Sequence, residues 1–258
     1  MPSRHERLSA HFRHMGYLRV PEAIPSELVT RLLAVVREEF AAERGPCRRG
    51  TEGEIVRIDG VSRRDPAFIE SLTTPDLLDA LRILLGPRIV LLQNRHDHAT
   101  LNRRGHIPVR LHRDVLQWSR PVITVLLFLE RSGPANGCTH VVPGSHVAPY
   151  LGMSPEGGGG NWVDDHEEYA HFPDQALPVP VPAGGALIMD GLLFHSVGHN
   201  ATEDARTSVT FALRSCDELS VNEGRHQVIV GSPLYRGNDL HHANSDHRTV
   251  LREGKGKV

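Results

Sequence analysis

Lysine is almost missing from this 258-residue chain: there are two, Lys255 and Lys257, both at the very end. Nearly all basic charge is therefore arginine, which reads as a compositional bias rather than a binding surface. With 29 basic and 31 acidic residues the formal net charge is −2. That balance removes the electrostatic case for nucleic acid or an anionic membrane as a partner. Cysteine is scarce. Cys47, Cys138 and Cys216 form neither an even framework nor a C-x-x-C pair, so a reducing, cytoplasmic setting is expected. No apolar run approaches the roughly 18 residues of a membrane span. The opening Met1–Arg7 has no apolar stretch of the kind a secretion signal needs. Aromatic residues make up 5%, with Trp118 and Trp162 the only tryptophans. Histidine, by contrast, is plentiful at 17. A histidine taken at random is then a poor metal ligand, and spacing has to discriminate.

One spacing does. The stretch Val109–Trp118 contains His112 and Asp114 at i and i+2. On an extended strand, alternate side chains share a face, so the imidazole and the carboxylate project together. They supply two thirds of the 2-His-1-carboxylate arrangement that holds non-haem Fe(II) with positions left open. A lone H-x-D is weak evidence, since a polar strand end meeting solvent gives the same letters. A second histidine strengthens it. Gly184–Gly198 reads as a buried apolar strand that ends in His195 and a turn. After the turn-rich 199–205, Arg206–Leu213 reads as another strand with Arg206 and Ser208 on one face. An antiparallel hairpin of these two strands would set His195 roughly opposite Arg206. A planar guanidinium matches a carboxylate bidentately and the serine adds a donor, so an acidic co-substrate beside the metal is expected.

These features together resemble the phytanoyl-CoA dioxygenase family. The resemblance rests on His112-Arg113-Asp114, on Asn136–His146 with its N-G-x-x-x-V-V-P-G-S-H order, and on His195 with Arg206. It runs from Gly16–Val20 to about Glu218. It implies a mainly β fold with flanking α-helices, a double-stranded β-helix of the cupin-like jelly-roll kind. It also implies Fe(II), 2-oxoglutarate and O2 as cofactor and co-substrates. By resemblance, Gln93 and Thr124 would reach the 2-oxoglutarate. Leu92–Ala99 and Leu111–Arg120 are similar to the oxygenases of orthosomycin- and hygromycin-type pathways, which close orthoester or methylenedioxy rings on oligosaccharides. Enzymes of this class that halogenate have a small residue where Asp114 stands, which disfavours that chemistry here.

Along the chain, residues 4–15 suit a short amphipathic helix before the extended Gly16–Val20. A second helix is expected from Ser26, as N-cap, to about Glu43, with Leu28, Leu32, Leu33, Val36 and Phe40 at helical spacing and Gly45-Pro46 beyond. Residues 46–66 look like a loop with a brief strand at Ile55-Val56. A third helix runs from about Pro75 to Leu85, and these helices should pack on the outer face of a sheet. From Arg88 the pattern turns to strands. His96-Asp97-His98 offers a rival zinc-type H-x-H. Pro121–Leu129 is continuously apolar, as in a strand buried on both faces. Asn136-Gly137 signals a tight turn, and His140 and His146 read as structural. The long 147–178 stretch is expected to be irregular. Its Trp162, Asp165 and neighbouring acids could stack on a sugar ring and bind its hydroxyls, with Trp118 and Arg113 placed similarly beside the ligands. A solvated acidic loop is the bland alternative.

The expectation is one domain over 1–258: a helical part to about 87, a β-helix core at about 88–218 and a polar tail. It would be an iron- and 2-oxoglutarate-dependent oxygenase acting on a small, carbohydrate-containing molecule such as an oligosaccharide or aminoglycoside antibiotic intermediate, alone or as a homodimer, with no nucleic-acid or membrane partner. Hydroxylation of another natural product or an amino-acid-like metabolite is the nearest alternative. A zinc or nickel cupin-like protein, or a sugar-binding β-domain, is the alternative from another class. An acyl-CoA substrate is disfavoured because no lysine-arginine cluster awaits its phosphates.

Overall fold

The computed structural model describes residues 2–93, 95–105, 109–116, 122–152, 159–217 and 226–231. Helix α1, Arg4–Met15, begins at a capping box in which Ser3 and Glu6 satisfy each other's backbone N–H groups. Helix α2 spans Ser26–Ala41 and buries Leu28, Leu32 and Val36. Its N-cap is Pro25, not Ser26, and no side chain caps it. The short α3, Ala67–Leu72, was not foreseen; α4, Pro75–Leu85, lies where the apolar spacing put it. A last turn, α5, is Phe172–Gln175.

Among the described residues twelve strands follow in order: β1 Tyr17–Val20, β2 Cys47–Arg49, β3 Ile55–Asp59, β4 Ile89–Leu92, β5 His98–Asn102, β6 Ile123–Phe128, β7 Thr139–Val141, β8 Leu177–Pro178, β9 Ala186–Asp190, β10 His195–Val197, β11 Arg206–Ser215 and β12 His226–Val230. A large sheet runs β1-β9-β6-β11-β5-β3-β2, with β4 joining β11 and β12; a small sheet runs β10-β7-β8. The N-terminal part is thus not only helical, since β1 to β3 complete the large sheet. The strand β12 was also unforeseen in a stretch expected to be a polar tail.

The two faces of the large sheet differ in kind. Ile123, Val125 and Leu127 of β6 join Phe211, Leu32, Leu77 and Leu81 in one apolar cluster beneath the helices. Leu126 and Phe128 point the other way, into a cluster with Val141 and Leu193 of the facing layer. Every residue of β6 is buried, as its uninterrupted apolar run required.

Strands β4 and β5 lie on the same edge of β11, one after the other. β5 pairs with Arg206–Thr210 and β4 with Leu213–Ser215. The connecting turn is therefore an excursion from one edge, made at the level of Phe211 and Ala212. On the other edge of β11, Ala212 pairs with Thr124. That level is where the candidate site lies.

Candidate metal centre

His112 is not in a regular strand. It forms isolated bridges to His195 on one side and Trp162 on the other. The backbone N–H of each histidine donates to the carbonyl of the other, at 2.9 and 2.8 Å, which sets the two imidazoles side by side, centroids 4.4 Å apart and planes tilted by 46°. Asp114 is fixed separately. Its N–H and that of Val115 both donate to the Gly191 carbonyl at 2.9 Å. A Cβ at Gly191 would lie 2.9 Å from a Val115 methyl and 3.0 Å from the Val122 carbonyl, so the approach requires glycine there.

His112, Asp114 and His195 each offer a ligand atom, and the three atoms lie within 4.8 Å of one another. The Nδ1 of His112 faces the Arg110 carbonyl at 2.8 Å and the Nδ1 of His195 faces the Leu193 carbonyl at 2.9 Å. A carbonyl only accepts, so Nδ1 carries the hydrogen in both rings and Nε2 keeps its lone pair. Those lone-pair nitrogens lie 3.9 and 3.8 Å from Oδ1 of Asp114. This is a donor set of two imidazoles and a carboxylate, gathered around a common point. Burial, followed by the neighbouring His195, pushes His112 down to about 4, so it is neutral at physiological pH. Burial alone would raise Asp114. The charges of His96 and His195 and the hydrogen bonds from His96 and Thr124 outweigh it and hold the carboxyl well below its usual range.

Thr124 donates its hydroxyl to Oδ2 of Asp114 at 2.6 Å. Its proton is thus committed to a ligand candidate, where a contact with the co-substrate had been expected. From Thr124, alternate residues of β6 run through Leu126 to Phe128 on one interior face, about 13 Å along the strand. At the far end the Arg206 guanidinium lies over the Phe128 ring, 5.3 Å from its centroid. Arg206 is 3% exposed; its Nε donates to the Asn136 carbonyl at 3.3 Å, and its Nη1 has no partner. Among the described residues no carboxylate lies within ion-pair distance of it. Burial lowers it to about 10, so it stays cationic at neutral pH. Ser208, on the same strand face, pairs with Phe128 and is likewise buried.

Arg206 and His195 do not face each other in a hairpin, as the sequence had suggested. β10 pairs with β7 in the small sheet, whereas β11 pairs with β5, β6 and β4 in the large one. The turn between them crosses from one layer to the other, and the two residues share the interior from opposite walls.

Other expected residues separate clearly. Gln93 continues the parity of Leu91, which lies in the cluster under the helices, and its amide donates to Gln227 at 3.0 Å. It faces away from the ligand candidates. Arg113 is fully buried. Its guanidinium lies 4.4 Å from the Phe194 centroid and donates to the carbonyls of Ala148 and Pro149. It is a packing element with no surface to offer a substrate. Asp165 accepts the N–H groups of Gly160 and Trp162 and so shapes its own loop. Trp162 does sit at the site: its ring is 5.0 Å from that of His112, and Arg110 covers it at 5.0 Å while pairing with Asp164. Trp118 lies outside the described residues. His140 and His146 turn to the backbone carbonyls of Cys138 and Arg13. The 147–178 stretch, expected to be irregular, holds short helical turns at Val163–Asp165 and Glu167–Tyr169 and is anchored by Val163, Tyr169 and Phe172 on Leu111 and Phe194.

His96 was weighed only as part of a zinc-type pair with His98. Its Nε2 lies 3.1 Å from Oδ1 of Asp114, and its backbone is left-handed with φ 48°. The adjacent Asp97 turns to Ser62 instead, so the H-x-H does not assemble as a site of its own. His98 is buried in the interior with Nδ1 unpartnered.

Two facing antiparallel sheets with a His-Asp-His donor set between them define a double-stranded β-helix of the metal-dependent oxygenase kind. A profile of the phytanoyl-CoA dioxygenase family matches residues 12–208, and the chain belongs to that family. It is accordingly an enzyme of the 2-oxoglutarate-dependent, non-haem iron dioxygenase class. Dioxygenase af480 of Aspergillus fumigatus is 25% identical over 229 residues, covering 83% of this chain and 68% of that protein. Among solved structures, the epimerase SnoN in complex with Fe3+, alpha ketoglutarate and nogalamycin RO superposes with a TM-score of 0.68 at 22% identity, over 91% of this chain and 96% of that one. AviO1 from Streptomyces viridochromogenes Tue57 gives a TM-score of 0.65 at 22% identity, over 83% and 96% of the two chains. At such identities the structural likeness speaks to the fold. Among the described residues no helix is long and apolar enough to cross a membrane.

Proposed function

We propose that the chain binds Fe(II) through His112, Asp114 and His195, holds 2-oxoglutarate against Arg206 and Ser208, and oxidises a C–H bond of a sugar-bearing natural-product intermediate. The observation that carries the co-substrate assignment is Arg206, a buried cation with an unpartnered Nη1 and, among the described residues, no carboxylate within ion-pair distance. Burying a charge unpaired is costly, so such a group calls for an anionic ligand. It shares the interior face of β6 with the Thr124–Asp114 pair, at a span suited to a short dicarboxylate reaching from metal to arginine. A non-redox cupin-like protein would use the same donors but has no need of that arginine.

Two imidazoles and one carboxylate fit a divalent iron and leave positions open for further ligands. Bound there with 2-oxoglutarate and O2, the iron supplies an oxidant able to remove hydrogen from a substrate carbon, while the co-substrate is converted to succinate and carbon dioxide. The protein's own part is positional. The paired His112 and His195 carbonyl contacts orient both rings, and Thr124 engages Oδ2 of Asp114, so that Oδ1 would be the oxygen offered to the metal. On the open side, Trp162 with Arg110 and Asp164 offers an apolar plate edged by a cation and an anion, suited to a ring bearing hydroxyl or ammonium groups. The likeness to SnoN, solved with nogalamycin RO, supports a natural-product substrate.

The test is succinate formation with a panel of sugar-bearing acceptors against their aglycones, followed by mass analysis of the product. Turnover stimulated only by sugar-bearing acceptors supports the reading. A product lighter by two hydrogens marks ring closure such as orthoester formation, and one heavier by an oxygen marks hydroxylation. Stimulation by aglycones alone would overturn the carbohydrate assignment.

A further inference from the structure

We infer that His96 is a positioning residue for the carboxylate ligand: its Nε2–H holds Oδ1 of Asp114 and, with Thr124 on Oδ2, restricts the carboxylate to one-oxygen coordination of the metal. The inference rests on the metal site proposed above and adds to it a residue outside the three-ligand set.

Three observations converge on His96. The first is distance. Its Nε2 is 3.1 Å from Oδ1, closer to that oxygen than either His112 or His195 at 3.9 and 3.8 Å. Oδ1 has two lone pairs in the carboxylate plane. One is free to face the point between His112 and His195 while the other accepts from His96. Oδ2 is already taken by Thr124 at 2.6 Å. A carboxylate held at both oxygens cannot swing to chelate the metal through the pair, so a coordination position stays open for co-substrate.

The second is backbone. His96 has φ 48°, one of two non-glycine residues in the left-handed region among the described residues. A non-glycine residue there is uncommon, though histidine tolerates it better than most, and it persists where the surroundings impose it.

The third is what imposes it. On one side of His96, the Arg95 guanidinium donates to the backbone carbonyl of Asp114 itself. On the other, the Asp97 carbonyl accepts from Gly60 N and its carboxylate accepts from the N–H and hydroxyl of Ser62, at 2.9 and 2.7 Å. The excursion between β4 and β5 is thus pinned at both shoulders, at the level of Ala212 and Thr124, with His96 at its tip against Asp114.

The test compares wild type with His96→Gly and His96→Gln in two assays: Co(II) affinity by anaerobic competition with a chelator, and thermal unfolding of the metal-free protein. Glycine relieves the left-handed backbone but removes the donor. It should weaken metal binding about 10–100-fold, the usual cost of losing a partner behind a metal ligand, with an unfolding temperature equal to or above wild type. Glutamine keeps an N–H donor and should recover most of the loss. Unchanged affinity in His96→Gly would overturn the inference, as would an affinity loss accompanied by a lower unfolding temperature, or no recovery in His96→Gln. If wild type itself bound no metal, the three-ligand reading would fall as well. If wild type bound normally and the variants matched it, only the role of His96 would fall.

Discussion

The hydroxyl of Thr124 donates to Oδ2 of Asp114 at 2.6 Å, which leaves Oδ1 as the oxygen facing the two imidazoles. A strand residue on the large sheet thereby sets which oxygen of a loop carboxylate is turned toward the two imidazoles. Thr124→Val keeps the shape and deletes this bond. Metal affinity should fall about 10–100-fold, and the metal-free protein should lose about 1–2 kcal/mol. Thr124→Ser should stay near wild type in both. Chelator competition and urea unfolding check the pair of values.

Arg206 offers a sharper contrast. A buried, unpaired guanidinium costs stability when no anion is bound, so Arg206→Met should leave the metal-free protein as stable as wild type or more so. The same change should weaken 2-oxoglutarate binding by about 100-fold, near 3 kcal/mol, for a lost charge-assisted pair. Unfolding and co-substrate titration move in opposite directions if the residue serves the ligand. They fall together if it serves the fold.

Asp97 should give the fold a pH dependence. Burial raises its carboxyl above the usual range, against the pull of the Ser62 hydrogen bonds. A folded-state pKa above the unfolded value means that the favourable contribution is complete below the unfolded pKa, near 4. It is lost as pH rises through the elevated folded value. Asp97→Asn removes the titration, so its stability relative to wild type should improve between pH 4 and 7. Denaturant unfolding at those two pH values measures the difference.

Arg113 sits beside two ligand candidates yet contacts neither substrate space nor solvent. Its guanidinium fills the interior over Phe194 and bonds two backbone carbonyls. Arg113→Ala should cost about 3 kcal/mol or more, from a cavity, a lost cation–π contact and orphaned carbonyls. The folded fraction should keep its affinity for 2-oxoglutarate. Thermal unfolding and co-substrate titration on the same sample separate the two effects.

What the sequence made legible follows from how local each signal is. Amphipathic spacing located α1, α2 and α4, and the all-apolar run located β6, because burial on both faces needs no tertiary knowledge. The His112, Asp114 and His195 set was legible through its pairing of residue types. The hairpin premise behind Arg206 does not hold, because a turn between β10 and β11 looks the same in sequence whether it closes a hairpin or crosses between layers. Gln93, one residue past β4, turns its amide to Gln227 and Ser62, contacts that spacing alone does not reveal. His96 carried the weakest signal. Its role depends on a left-handed turn and on the meeting of three distant segments at Ser62, Asp97 and Asp114, and neither is written in spacing. The aromatic anchoring of residues 159–178 was hidden for the same reason, because Tyr169 and Phe172 only make sense once Phe194 is beside them.

The most direct measurement is an anaerobic visible spectrum of the metal-free protein titrated first with Fe(II) and then with 2-oxoglutarate. A weak charge-transfer band that requires both additions, is lost in His195→Ala and needs far more 2-oxoglutarate in Arg206→Ala is the predicted result. A wild-type protein that gives no band with both present would contradict the account at its centre.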